Sequence, residues 1–252
     1  MKVTFLGTGT SHGVPMIGCD CPVCTSNDPR NKRMRSSVLV ETDGVSLIID
    51  TGPEMRMQVL REDVRHIDAV LITHAHADHI FGLDDIRRFN DLSGKSMPCF
   101  GSEATLHCMR NTFDYVFTAT QVGGGLPQLE LVQVDGPFEA CGVGVTPIPI
   151  LHGRMHIFGY RIGDFAYITD CSQIPQPSEE LLRDLDTLVL GVIRHEPHAT
   201  HFCVSQALAV VEKLQPRHVF FTHIAHKLDH DHTNRALPPD VQLAYDGLKI
   251  KI

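Results

Sequence analysis

Short apolar runs alternate along the chain with polar, glycine-rich turns, and their periods predict an α/β fold. Residues 3–6 open as a strand. Ser37–Glu41 and Val45–Ile49 flank Asp43-Gly44, a hairpin signal. Ala69-Val70-Leu71-Ile72-Thr73 is short, apolar and β-branched, the pattern of a buried strand. Further strands are expected at Leu129–Val134, Gly142–Ile150, Thr187–Val192 and His218–Phe221. Tyr160–Ile162 and Phe165–Ile168 make a hairpin around Gly163-Asp164, and residues 241–250 close an edge. Helical spacing marks Glu54–Arg61, Phe81–Asn90, Ser102–Phe117, Ser178–Leu185 and Val204–Leu214. On Ser102–Phe117 the stripe Leu106, Met109, Phe113 and Val116 or Phe117 reads as core, with His107 structural. Gly123-Gly124-Gly125 reads as a flexible loop.

Composition narrows the class. The 252 residues are 42% hydrophobic and 21% charged, as in a globular protein, and one domain spanning 1–252 is expected. No apolar run reaches the roughly 20 residues that cross a bilayer, so no membrane partner is expected. Met1–Leu6 starts as a strand without a long apolar signal core, which favours a cytoplasmic location. A net charge of −8 argues against nucleic acid as a partner. Eight cysteines in a cytosolic chain stay reduced or bind metal. Sixteen histidines point to metal as well. The oligomeric state stays open, a homodimer included.

The chemistry gathers where strands end. His74-Ala75-His76-Ala77-Asp78-His79 follows the buried strand at 69–73. Alternate residues of an extended segment share a side, so His74 and His76 can reach one ion together. Asp78 and His79 come after the chain turns and can face a second. Imidazole and carboxylate suit manganese, zinc or iron rather than calcium. Asp50 and Asp170 stand at two other strand ends. Alone, Asp50 reads as a turn or cap, and His152 as a satisfied polar side chain.

His-x-His-x-Asp-His after an apolar strand resembles the metallo-β-lactamase superfamily of binuclear metallohydrolases. The resemblance implies a four-layer αββα sandwich, two packed mixed sheets flanked by helices. In the superfamily order His74, His76 and His152 take one ion, Asp78, His79 and His223 take the other, and Asp170 bridges. Asp50 then lies beside the metals and, with Asp78, joins the catalytic machinery. Seven ligands for two ions leave positions open. Such a pair, roughly 3.5–4 Å apart, can share a hydroxide and clamp a phosphoryl group.

The leaving alkoxide needs a proton. His201 precedes Phe202-Cys203-Val204-Ser205-Gln206-Ala207-Leu208, which resembles the proton-donor segment of superfamily phosphodiesterases. His195 and His198 are competitors. Gly7-Thr8-Gly9-Thr10-Ser11-His12-Gly13-Val14-Pro15 reads as an anion-holding loop or a plain turn. It resembles the opening loop of the phosphodiesterase branch, which includes tRNA 3′-processing endonucleases. Cys19-Asp20-Cys21-Pro22-Val23-Cys24 places three thiols of a tetrahedral zinc site in a loop at about 18–30. His226, three residues beyond His223, is expected as the fourth ligand.

The cysteine loop with a late His-x-x-His resembles the phosphoribosyl 1,2-cyclic phosphate phosphodiesterase subgroup of phosphonate breakdown. It implies a small, cyclic phosphodiester substrate, two catalytic divalent ions and one structural zinc. Thr10, His12, Arg154 and His156 are candidates for substrate binding and equally for structural roles. Two rivals share the superfamily. A tRNA 3′-processing endonuclease fits poorly with the acidic balance, and the cysteine loop stands where those enzymes carry a Lys/Arg loop. The oxygenase of pyrroloquinoline quinone biosynthesis shares the cysteine-bound zinc but lacks a full His-x-His-x-Asp-His set.

Overall fold

The computed structural model describes residues 1–118 and 125–252; Gly123 and Gly124 of the expected glycine loop lie outside them. The first sheet is built from β1 (Lys2–Gly7), β2 (Ser37–Thr42), β3 (Val45–Ile49), β4 (Ala69–Leu71), β5 (Met97–Gly101) and β6 (Leu129–Gln133). The second contains β7 (Phe138–Ala140), β8 (Val143–His152), β9 (Met155–Ile162), β10 (Phe165–Ile168), β11 (Thr187–Arg194), β12 (Phe202–Cys203), β13 (His218–Thr222) and β14 (Val241–Leu243). The last strand, β15 (Lys249–Lys251), returns to the first sheet beside β1.

Both sheets follow one plan. β1, β2 and β3 pair antiparallel, and β3 through β6 then run parallel. Likewise β7 through β10 are antiparallel, while β10, β11, β13 and β14 run parallel. Both sheets are therefore mixed. β3 and β10 are the strands where each sheet changes sense, and Asp50 and Asp170 follow them.

Three apolar clusters define four layers. Val3, Phe5, Leu47, Tyr160, Phe165, Val189 and Phe220 fill the space between the sheets. The outer face of the first sheet packs on α1 (Met55–Arg61), α2 (Ala77–Ile80), α3 (Arg87–Ser93) and α4 (Glu103–Thr112), through Met55, Ile80, Phe89 and Met109. The short helix α5 (Asp114–Phe117) follows α4. The outer face of the second sheet lies under α7 (Val204–Leu214), and α6 (Gln176–Glu180) precedes β11 on that side. One more helix, α8 (His230–Ala236), leads to β14. Central strands are apolar on both faces because both faces are covered. The sheets also touch through polar groups near the site: Tyr160 Oη donates to the Ile72 carbonyl (2.7 Å) and Phe158 N–H to the Thr73 carbonyl (3.1 Å).

Several expected boundaries move. Phe81–Asn90 is a 3₁₀ turn at Leu83–Ile86 followed by α3, because Gly82 is drawn against the backbone of Thr51 and Gly52, where a side chain would not fit. The helix expected to run to Phe117 breaks at Phe113 (φ −108°, ψ 38°), whose ring turns into the core. Ser178–Leu185 shortens to α6, which starts after Pro175. Residues 241–250 close one edge of each sheet rather than a single edge. Pro98 hides β5, since a proline inside a central strand argues against one. Three-residue β7 is too short to show a period. Among the described residues no helix is long and apolar enough to cross a membrane.

Candidate metal centres

The expected site residues meet at the carboxyl ends of β3, β4, β8, β10 and β13. Three of them hold left-handed backbone: Asp50 (φ 62°), Asp170 (φ 50°) and His223 (φ 57°). Such conformations strain a non-glycine residue by about 1–3 kcal/mol and persist where their surroundings hold them. Here they end each strand abruptly and aim the side chain across the sheet edge. Gly191 on β11 has no room for a Cβ, which would stand 2.9 Å from the Asp170 nitrogen.

Two groups of donors result. Ligand atoms of His74, His76, His152 and Asp170 lie within 4.8 Å of one another, and so do those of Asp78, His79, Asp170 and His223. Asp170 belongs to both. Its Oδ1 lies 3.3 Å from His79 Nε2 and 3.0 Å from His223 Nδ1, and its Oδ2 lies 3.9 Å from His74 Nε2. All are buried except His76, which forms the solvent side.

Outer hydrogen bonds fix each ring. Asp50 accepts from Thr73 N–H and Oγ1–H (2.8 Å each) and from His79 Nδ1–H (2.7 Å), leaving His79 Nε2 for the centre. His152 Nδ1–H donates to the Thr200 carbonyl (2.9 Å). The Thr10 hydroxyl meets His223 Nε2 at 3.1 Å, so this candidate for substrate contact also touches a ring of the centre. Burial pulls His74, His152 and His223 below the usual histidine range, His223 to about 4, so these imidazoles are neutral. Burial alone would raise Asp170, but His223 and His79 together hold it well below the usual carboxylate range. His79 differs: burial alone would lower it, but Asp170 and Asp50 hold it well above the usual histidine range. It would release a proton on taking an ion, since neutral imidazole and ionised carboxylate are the ligating forms.

The donors fit divalent ions. His79 Nε2 is buried and lies 3.3 Å from oxygens of both Asp78 and Asp170, yet it makes no well-directed hydrogen bond. His74 Nε2 and His76 Nδ1 face each other at 2.9 Å. A cation in each group would pair these converging lone pairs.

A second kind of donor set lies apart. Cys19, Cys21, Cys24 and His226 also gather within 4.8 Å. His226 Nδ1 is 3.2 Å from Cys19 Sγ and 3.3 Å from Cys21 Sγ. Tetrahedral zinc with Zn–S near 2.3 Å would hold sulfurs about 3.8 Å apart. The cysteine loop is pinned to the segment after β13: Asn31 Nδ2 donates to Asp229 Oδ2 (2.8 Å), and its Oδ1 accepts from His230 N–H (3.0 Å). The Cys24 N–H donating to Cys21 Sγ, helped by His226, lowers that thiol to about 6 despite burial. Burial pushes the Cys24 thiol up to about 11.

His201 reaches the centre from β12's side, its Nε2 3.3 Å from Asp170 Oδ2 and its ring stacked on His223. His198 lies behind it, and His195 is exposed. A cavity of about 270 Å³ opens beside His201, lined by Thr10, His12, Arg194, His198, His226 and Lys227 among others. Arg154 and His156 are exposed around the β8–β9 turn and do not line it. Arg194 and Lys227 escaped sequence reasoning, since a lone surface cation carries no pattern. His107 is exposed on α4 and meets Asn111, away from the donors.

Residues 46–224 match the Beta-lactamase superfamily domain. A crystal structure described as a new diphosphatase from the PhnP family superposes with a TM-score of 0.93 at 45% identity, over 100% of this chain and 97% of that one. An octanoyltransferase of Porphyromonas gingivalis is 35% identical over 254 residues, 99% of this chain and 51% of that protein. Coenzyme PQQ synthesis protein B of Methylobacterium radiotolerans is 30% identical over 167 residues, 60% of this chain and 52% of that protein. The chain thus spans about half the length of these curated relatives.

Proposed function

Because this chain belongs to the beta-lactamase superfamily, we propose that it is a metal-dependent hydrolase that opens a small phosphodiester, of the kind found in phosphoribosyl 1,2-cyclic phosphate. The observation that carries the reading is Asp170, one buried carboxylate shared by two complete donor groups with His201 against it. His74, His76 and His152 would hold one divalent ion, Asp78, His79 and His223 the other, with Asp170 between. The ions would supply Lewis acidity and a water of lowered pKa.

The chain's own groups do the rest. Asp50, through His79 Nδ1–H, keeps that imidazole oriented. The Thr200 carbonyl does the same for His152. His201 Nε2 faces the edge where a leaving alkoxide departs, so His201 delivers the proton. The cavity beside His201, with Arg194 and Lys227 on its wall, would receive an anionic substrate.

The similar diphosphatase raises a second reading, cleavage of a phosphoanhydride at the same centre. The full chain, loaded with manganese or zinc, should be assayed side by side on cyclic phosphodiesters, diphosphate esters, a tRNA precursor and thioesters. We expect turnover on a cyclic phosphodiester that disappears with chelator and returns with metal. Turnover confined to thioesters or to the tRNA precursor would overturn the reading.

The cysteine group is proposed to hold a structural zinc. Cys21→Ser is expected to lose one zinc per chain and lower the melting temperature, while the histidine–aspartate pair keeps its ions, as counted by metal analysis. In chelated protein at pH 7 Cys21 is expected to be alkylated before Cys24, since the lowered thiol is ionised there and the raised one is not. Equal rates would show that the loop does not set these thiols apart.

A further inference from the structure

The turn His198-Ala199-Thr200-His201 sets two histidine rings at once. The Thr200 carbonyl accepts the His152 proton, and Gly153 makes room for the approach: a Cβ there would stand 2.9 Å from Thr200 Cγ2. The N–H of the same residue donates to His198 Nδ1 (3.3 Å). A ring nitrogen that accepts a hydrogen bond carries no proton, so in neutral His198 the proton is on Nε2. His201 Nδ1 lies 3.2 Å from that accepting nitrogen and 2.9 Å from the Thr200 hydroxyl. Two nitrogens in contact need one proton between them. His198 Nδ1 has none to offer, so His201 Nδ1 supplies it, directly or through the Thr200 hydroxyl, which stands 3.3 Å from His198 Nδ1 and can accept from one ring and donate to the other.

From this geometry we infer that His198 is a positioning residue: it holds His201 as the Nδ1–H ring and turns its Nε2 toward the centre. The inference rests on His201 acting as the proton donor proposed above. When His201 gives its Nε2 proton to the leaving alkoxide, the ring it becomes is the Nδ1–H form that His198 already accepts, so no hydrogen bond has to be rebuilt. The arrangement corresponds to a triad in which an acid–base ring is oriented by a third group. Here an imidazole, held by a backbone N–H, takes the place usually filled by a carboxylate.

The test compares His198→Ala and His198→Asn in the full chain, zinc-loaded so that side-chain nitrogens can be observed by NMR. His198→Ala should lower kcat on a phosphodiester with an alkyl leaving group by roughly 10–100-fold, as loss of an orienting partner does. Its loss on bis(p-nitrophenyl) phosphate should be clearly smaller than on the alkyl ester, and its metal content should hold. In His198→Asn the amide oxygen can accept the Nδ1–H, so most of the loss should be recovered. In the zinc-loaded parent, with Asp170 taken up by the ions, neutral His201 should read Nδ1 protonated and Nε2 bare, and mixed in His198→Ala. An Nε2–H His201 in the parent, or equal losses on both substrates, overturns the inference. If the parent hydrolyses neither substrate, the phosphodiester reading fails and the nitrogen shifts alone decide the role of His198.

Discussion

Replacing Asp170 by asparagine is expected to remove metal-dependent turnover, by about 10³-fold or more. The residue changes by one atom, but its oxygens lie against five buried or half-buried rings, at 3.0–4.0 Å from His223, His79, His201, His74 and His152. It is the one donor common to both groups. Asparagine offers one neutral oxygen in place of two charged ones, so it can serve one ion but not join two. Losing several kcal/mol of charge stabilisation corresponds to roughly three decades in rate. Stability reports the same event independently. Ligand present at about 100 times its Kd stabilises a fold by about 2.7 kcal/mol. The parent chain should therefore melt higher when manganese or zinc is added, and Asp170→Asn should lose much of that shift while folding well without metal. A variant that keeps both the metal-induced shift and the turnover would show that Asp170 does not join the two groups.

The parts of the site that were legible in the sequence are those that coincide with a change of period. His74 to His79 follows an apolar strand directly, and Asp50 and Asp170 end runs of alternating or buried residues. The structure brings these together with His152 and His223, which stand after strands as well but look like single polar residues until the sheets are stacked. What stayed hidden depends on tertiary contact. No local pattern says that Thr10 will meet His223, because their segments, far apart in the chain, are joined by the bridge between Gly9 and Ile224. The role of Thr200 lies in its backbone, and a backbone carbonyl leaves no mark in a sequence. In the fold, Pro98 masked a central strand, and Gly82 interrupted what otherwise reads as one helix.

The left-handed residues connect fold and site. Asp50 and Asp170 follow β3 and β10, where each sheet passes from antiparallel to parallel pairing. At that change the chain must leave the sheet edge and cross over, and the sharp turn raises both carboxylates to the same level. Aspartate tolerates this backbone better than most residues, and the buried hydrogen bonds of Asp50 to Thr73 and His79 hold it there. One geometric event, repeated in two sheets, places an orienting carboxylate behind one histidine and a shared carboxylate between the two donor groups.

Removing the imidazole of His201 is expected to separate the chemistry of the leaving group from that of the metal centre. His201→Ala deletes a side chain that sits at the rim of the site, 11% exposed, and whose polar partners are Asp170, Thr200 and His198, so the apolar core is untouched and the fold should survive. General acid catalysis contributes about 10²–10⁴-fold when the leaving group is a poor one. Turnover of an alkyl phosphodiester should fall by that factor, while bis(p-nitrophenyl) phosphate, whose leaving group departs without a proton, should lose less than about tenfold. Two ions should remain bound, because His201 belongs to neither donor group. Combining His201→Ala with His198→Ala should cost nothing further, since a positioning residue has no effect once the ring it positions is gone. His195 is exposed and His198 stands behind His201, so neither can take over the edge that faces Asp170. Equal losses on both substrates would mean that His201 acts on the metal centre itself, and an undiminished rate on the alkyl ester would mean that the proton comes from elsewhere.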